Sequence, residues 1–126
     1  MLHIYSKYEI LIQSQKSCYT VFMKTIDPIL KRFRSVLDCA YGDRLERVVL
    51  FGSRARGDAR PDSDYDVAIF LKSMPNRWED LDRLADLSTD FIDETGEVFN
   101  VLPYHISTYQ ERLPLMGEIR REGIDL

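Results

Sequence analysis

Residues 51–71 read FGSRARGDARPDSDYDVAIFL. Gly52 and Ser53 close an apolar run, ERVVLF at 46–51, and eleven residues after Ser53 the pair Asp64-x-Asp66 opens a second, YDVAIFL at 65–71. Both runs read as buried β-strands. Gly57, Asp58, Pro61, Asp62 and Ser63 between them are turn formers. Glycine lets a backbone approach a phosphate closely, and main-chain N–H groups with a serine hydroxyl can receive its oxygens. Side chains two apart on a strand share a face, so Asp64 and Asp66 can converge on one hard cation. Each half has a plainer explanation. Gly52-Ser53 also suits a strand-to-helix turn with Ser53 as N-cap, and the aspartates also suit a turn and a strand edge.

Working outward, residues 27–41 form a helix. Asp27 is its N-cap, Pro28 its first residue and Gly42 its end. Ile26, Ile29, Leu30, Phe33, Val36, Leu37 and Ala40 give it one apolar face. A second helix spans 76–95, with Trp78, Leu81, Leu84, Ala85, Ser88, Phe91 and Ile92 as its buried face, the aspartates as its wet face, and Gly96 closing it. Residues 97–104 (EVFNVLPY) read as a third strand ended by Pro103, and 113–122 as a short terminal helix. The order is α-β-β-α-β-α, with no internal repeat. Residues 1–22 fit no clear pattern. They are either an extension to a domain of residues 23–126, as an upstream mis-assigned start codon would produce, or an extra element packed on it.

The chain has 126 residues, 44% hydrophobic and 30% charged, the composition of one globular domain. A formal charge of −4 argues against a protein built to coat nucleic acid. Arg44, Arg47, Arg54, Arg56 and Arg60 nevertheless lie around the Gly-Ser turn, as a triphosphate site would use, while Asp80, Asp82, Asp86, Asp90, Asp93 and Glu94 crowd a later segment. Cys18 and Cys39 lack CxxC spacing, which suits a reduced, cytoplasmic protein. No apolar run approaches the ~20 residues that span a bilayer, and the first residues lack the uninterrupted apolar core of a signal peptide.

Taken together, LFGSRARG followed by SDYDVAIF resembles the nucleotidyltransferase superfamily of DNA polymerase β and the aminoglycoside nucleotidyltransferases, above all its shortest members, the minimal nucleotidyltransferases. The resemblance is strongest over 48–71 and looser from 23 to the Arg121-Glu122-Gly123 near the end. It implies an α/β (α+β) nucleotidyltransferase fold, a small mixed sheet flanked by helices. It implies that Gly52 and Ser53 hold the β- and γ-phosphates of ATP, that Asp64 and Asp66 bind Mg²⁺, and that Arg54 or Arg56 neutralises the triphosphate or its leaving pyrophosphate.

The pattern departs at one position. Catalytic members carry a third carboxylate on a later strand, completing a second-metal site and helping to deprotonate the acceptor. The matching strand, VFNVLPY, holds Asn100, whose amide oxygen ligates weakly and is no base at neutral pH. Glu97 is three residues away and would face the other way in a regular strand unless a bulge shifts it; Asp93 and Glu94 at the helix end are further substitutes. His105 after the third strand reads as structural, Trp78 as core or partner-facing, and Tyr41, Tyr65 and Tyr104 as packing residues. His3 falls in the unplaced extension.

Proteins of this family commonly serve as antitoxins beside a helical HEPN-domain ribonuclease toxin, some by moving AMP from ATP to a tyrosine of that partner. The resemblance therefore implies a protein adenylyltransferase with Asp64, Asp66 and Asn100 at its centre. A catalytically weak antitoxin that neutralises its partner by binding is the alternative. A small-molecule adenylyltransferase ranks behind both, because the chain has little room for an acceptor-binding domain.

Overall fold

The computed structural model describes residues 27–126. The expectations about residues 1–22, the domain start at Met23, and the places of His3, Cys18 and Ile26 lie outside the described residues. Helix α1 (Pro28–Tyr41) begins at Asp27, whose carboxylate accepts the Ile29 N–H at 2.9 Å. It buries Leu30, Phe33, Leu37 and Tyr41, one row at helical spacing. A 3₁₀ turn (Gly42–Arg44) leads into β1 (Leu45–Phe51), followed by the single turn of α2 (Ser53–Arg56) and then β2 (Tyr65–Leu71). Helix α3 (Arg77–Thr95) crosses to β3 (Phe99–His105). A second 3₁₀ turn (Ile106–Gln110), α4 (Pro114–Glu122) and the short β4 (Ile124–Asp125) complete the fold.

The sheet has the order β3-β2-β1-β4, with β2 and β3 parallel and the other pairs antiparallel. This is the small mixed sheet that the resemblance implies. Strand β2 is central and apolar on both faces, as a strand covered on both sides should be. Tyr65, Val67, Ile69 and Leu71 join α1 and α3 in the larger core, whose centre is a cluster of Phe33, Phe91 and Phe99. Ala68 and Phe70 face a smaller core with Val49, Met116 and Ile119. Alternation therefore puts Asp66 on the same face as Ala68 and Phe70.

Helix α3 corrects the expected burial. Trp78 is 75% exposed, and Ala85 and Ile92 are also exposed. The buried row is Asp80, Leu84 and Phe91, with Leu87 half-buried. Residues 80, 84, 87 and 91 form one continuous stripe at 3.6 residues per turn, whereas 78, 85 and 92 lie more than a quarter turn away. Asp80 is thus an exception to the wet face. It is 4% exposed and held by the Arg44 guanidinium at 2.9 Å, while Asp82, Asp86, Asp90 and Asp93 are exposed as expected. No helix among the described residues is long and apolar enough to cross a membrane.

Tyr41 packs against this pair. Burial, and then the Asp80 carboxylate, push its phenol up to about 12, partly opposed by Arg83 and Arg44. The unfolded chain releases this proton near the usual ~10, so the folded state is the more protonated between the two values. Stability from Tyr41 is complete below pH 10 and falls as pH rises from about 10 to about 12. Replacing Tyr41 by Phe should flatten the alkaline fall of the urea midpoint across that window.

Candidate active site

The site forms where β1 ends and β2 and β3 begin. Gly52 follows β1 with φ +76°, a conformation in which a side chain is strained. A Cβ there would lie 2.5 Å from Asp66 Oδ2 and 3.3 Å from its Cγ. Gly52, not Ser53, is the N-cap of α2, and Ser53 is the first helical residue. The Gly52 carbonyl accepts the N–H groups of Ala55 and Arg56 at 3.1 and 3.0 Å. The first N–H groups of such a turn have no carbonyl one turn back and so no intrahelical acceptor.

Asp64 stands at the mouth of β2 and Asp66 is its second residue. The parallel register sets Asp66 opposite Asn100, the second residue of β3. Asn100 Nδ2 donates to Asp64 Oδ2 at 3.1 Å and to Asp66 Oδ1 at 3.4 Å. The structure therefore brings together Asp64, Asp66 and Asn100 and packs Gly52 against Asp66. Asp64 and Asn100 are exposed and Asp66 half-buried, so the group is open to solvent. The donor set fits a hard divalent cation. Two carboxylates converge, and turning the amide would present its oxygen in place of its nitrogen. Asp64 and Asp66 are the residues that would hold Mg²⁺.

The substitutes for the third carboxylate lie elsewhere. Glu97 precedes β3, its N–H donates to Thr95 Oγ1, and its charge acts on Tyr65, on the opposite face from Asp66. Glu94 is paired with Arg32 at 2.6 Å, and Asp93 is exposed on α3. Among the described residues no group of three or more His, Cys, Asp and Glu side chains could hold a metal ion.

The arginines do not gather around the Gly-Ser turn as one patch. Arg44 holds Asp80, and Arg47 lies over the Tyr109 ring at 4.2 Å. Arg54 donates to the carbonyls of Ser63 (2.8 Å) and Pro61 (3.2 Å) and lies over the Tyr65 ring at 4.3 Å. Arg56 faces Asp58, Glu122 and Glu118 at 3.3, 3.5 and 3.8 Å, which ties α2 to α4. Sequence reasoning missed the acceptors of Arg54. They are main-chain carbonyls, which every residue carries and no motif marks. His105 Nδ1 accepts the Ser107 N–H at 3.1 Å and caps the second 3₁₀ turn, at the far end of β3 from Asn100. Tyr41 and Tyr65 are buried, Tyr104 half-buried. Tyr65 stacks on Phe99, and Tyr104 on Phe70.

Residues 30–121 match the nucleotidyltransferase domain. The chain belongs to the nucleotidyltransferase domain family. Similar proteins of Methanocaldococcus jannaschii carry the name "Putative protein adenylyltransferase". One is 49% identical over 51 residues, 40% of this chain and 52% of that protein. A second is 36% identical over 81 residues, 64% of this chain and 54% of that protein. A third is 34% identical over 73 residues, 58% of this chain and 67% of that protein. The chain thus spans about half the length of the first two. The nucleotidyltransferase fold is shared with a crystal structure of a toxin–antitoxin with AMP-PNP. The TM-score is 0.52 at 18% identity, over 75% of this chain and 69% of that one. It is shared equally with a mutant of the toxin–antitoxin MntA-HpeT, at TM-score 0.51 and 18% identity, over 76% and 70% of the two chains.

Gly52→Ala should force the Asp66 carboxylate aside and weaken Mn²⁺ binding, followed by electron paramagnetic resonance, by roughly tenfold or more. Gly96→Ala is the matched control. Its φ is +81° with open space around it, so it should cost ~1–2 kcal/mol of stability and leave Mn²⁺ affinity unchanged.

Proposed function

We propose that this protein is the nucleotidyltransferase of a two-protein toxin–antitoxin pair and transfers AMP from ATP to a hydroxyl of its partner. The acceptor we assign is a tyrosine of a HEPN-domain toxin, and the setting the cytoplasm. The observation that carries this reading is the convergence of Asp64, Asp66 and Asn100 beside the Gly52-Ser53 turn. The similarity to proteins named as adenylyltransferases and to toxin–antitoxin structures supports it.

In this reading the main-chain N–H groups and hydroxyl of the Gly52-Ser53 turn receive the β- and γ-phosphates. Asp64 and Asp66 would hold Mg²⁺, which would supply Lewis-acid stabilisation of charge on the triphosphate and the pyrophosphate. The acceptor oxygen bonds to the α-phosphorus, the bond from that phosphorus to the β-phosphate's bridging oxygen breaks, and the acceptor proton passes to solvent. Asn100 holds no proton-accepting carboxylate, so its part is to orient Asp64 and Asp66. That feature favours one second reading. A site with two carboxylates and an amide retains nucleotide better than it drives transfer, and such a protein would neutralise its partner by covering it.

Incubating the protein, the product of the neighbouring gene, Mg²⁺ and α-labelled ATP should place label on the neighbour. Asp64→Asn and Asp66→Asn should abolish it. Restoring a third carboxylate with Asn100→Asp should raise the labelling rate tenfold or more, in the range of general-base assistance, ~10²–10⁴ at its fullest. A partner that stays unlabelled yet bound and neutralised would overturn transfer and leave the binding reading standing.

A further inference from the structure

Arg54 lies one residue beyond the phosphate-type turn, yet its guanidinium is spent on the loop that delivers Asp64. Nη2 donates to Ser63 O at 2.8 Å and Pro61 O at 3.2 Å, and Nε adds a longer bond to Ser63 O at 3.3 Å. That loop end is a compact unit. Ser63 N–H donates to Arg60 O at 3.0 Å, and Arg60 N–H donates to Ser63 Oγ at 2.8 Å. Asp64 is the next residue along the chain. The fork of Arg54 therefore grips a preformed turn one peptide away from the carboxylate.

The guanidinium is itself rooted in the core. It lies 4.3 Å from the Tyr65 ring centre. Tyr65 stacks on Phe99 at 4.5 Å and 4°, and Phe99 stacks on Phe33 at 4.1 Å and 21°. Phe33 is fully buried on α1. A column runs from α1 through β3 and β2 to Arg54, and from Arg54 to the Ser63 and Pro61 carbonyls. A planar, permanently charged side chain with several fixed donors suits this position, because it stacks and forks at once. Lysine would keep the charge and lose both.

We infer that Arg54 is a positioning residue for the metal site, holding Asp64 in register with Asp66 through the Pro61 and Ser63 carbonyls, and is not a ligand of the triphosphate. The inference rests on the reading that Asp64 and Asp66 hold a divalent cation. The two roles separate when Mn²⁺ is the only probe. A triphosphate ligand leaves affinity for the bare metal unmoved, whereas a residue that orients a metal carboxylate lowers it, typically by ~10–100-fold.

The experiment measures Mn²⁺ binding without nucleotide and amide hydrogen exchange without metal, on wild type, Arg54→Lys, Arg54→Ala, Arg47→Ala and Asp66→Asn. Thermal melts report folding, and Arg54→Lys stands in should Arg54→Ala unfold. Both Arg54 variants should exchange faster across 58–64 and bind Mn²⁺ at least ~10-fold more weakly. Arg47→Ala removes a guanidinium equally well stacked, on Tyr109, and should do neither. Unchanged exchange in 58–64 overturns the clamp. Faster exchange with wild-type Mn²⁺ affinity overturns the positioning role, as does an Arg54→Lys variant impaired only when ATP is added. If wild type binds no Mn²⁺, or Asp66→Asn binds it equally well, the metal reading itself falls and takes this inference with it.

Discussion

The parallel pairing of β2 with β3 is the constraint on which the rest depends. Parallel neighbours need a crossover, and α3 supplies it while covering one face of the sheet. Val67, Ala68, Ile69, Phe70 and Leu71 are all fully buried, so β2 lies between two cores and cannot leave either. A slip of one residue would exchange its faces. Asp66 would then point among Phe33, Tyr65's neighbours and Phe99, where an unpaired carboxylate is costly. The same pairing that fills the cores sets Asp66 beside Asn100. Packing and site geometry are one decision.

At that site an amide donor stands beside two carboxylates. Two carboxylates held close repel each other, and a third would add to the repulsion while strengthening the hold on cations. The Asn100 amide instead donates to both, which relieves the pair when no cation lies between them. Gly52 contributes by having no side chain, since any Cβ would occupy the space of the Asp66 carboxylate. A glycine commonly associated with phosphate approach is here also a condition for the place of a metal-type carboxylate.

Much of this was legible beforehand. The three longer strands and three longer helices follow from apolar periodicity and from Asp27, Pro28, Gly42 and Gly96 at the helix ends. The two-residue β4 was not, because its pairing with Val49 and Leu50 depends on α4 returning the chain to the sheet. The single turn of α2, too short to show a period, was legible only as a strand-to-helix turn, with Ser53 in place of Gly52 as its N-cap. Helix α3 was misjudged in its face because two apolar rows run along it. Only the sheet against it selects the one through Leu84 and Phe91, and Arg44 makes a place in that row for Asp80.

What the sequence determined by itself was chemical kind: a small-residue turn, two aspartates two residues apart, and an amide, not a third acid, on the later strand. These are properties of residue identity and of the two-residue strand period, and they do not depend on the fold. Tertiary structure alone decided which groups meet. It joined Asn100 to Asp64 and Asp66, left Glu97 ahead of β3, and turned Arg54 toward Pro61 and Ser63. Those outcomes depend on main-chain carbonyls, strand register and backbone approach, which are the same for every residue type and therefore leave no mark in the order of side chains.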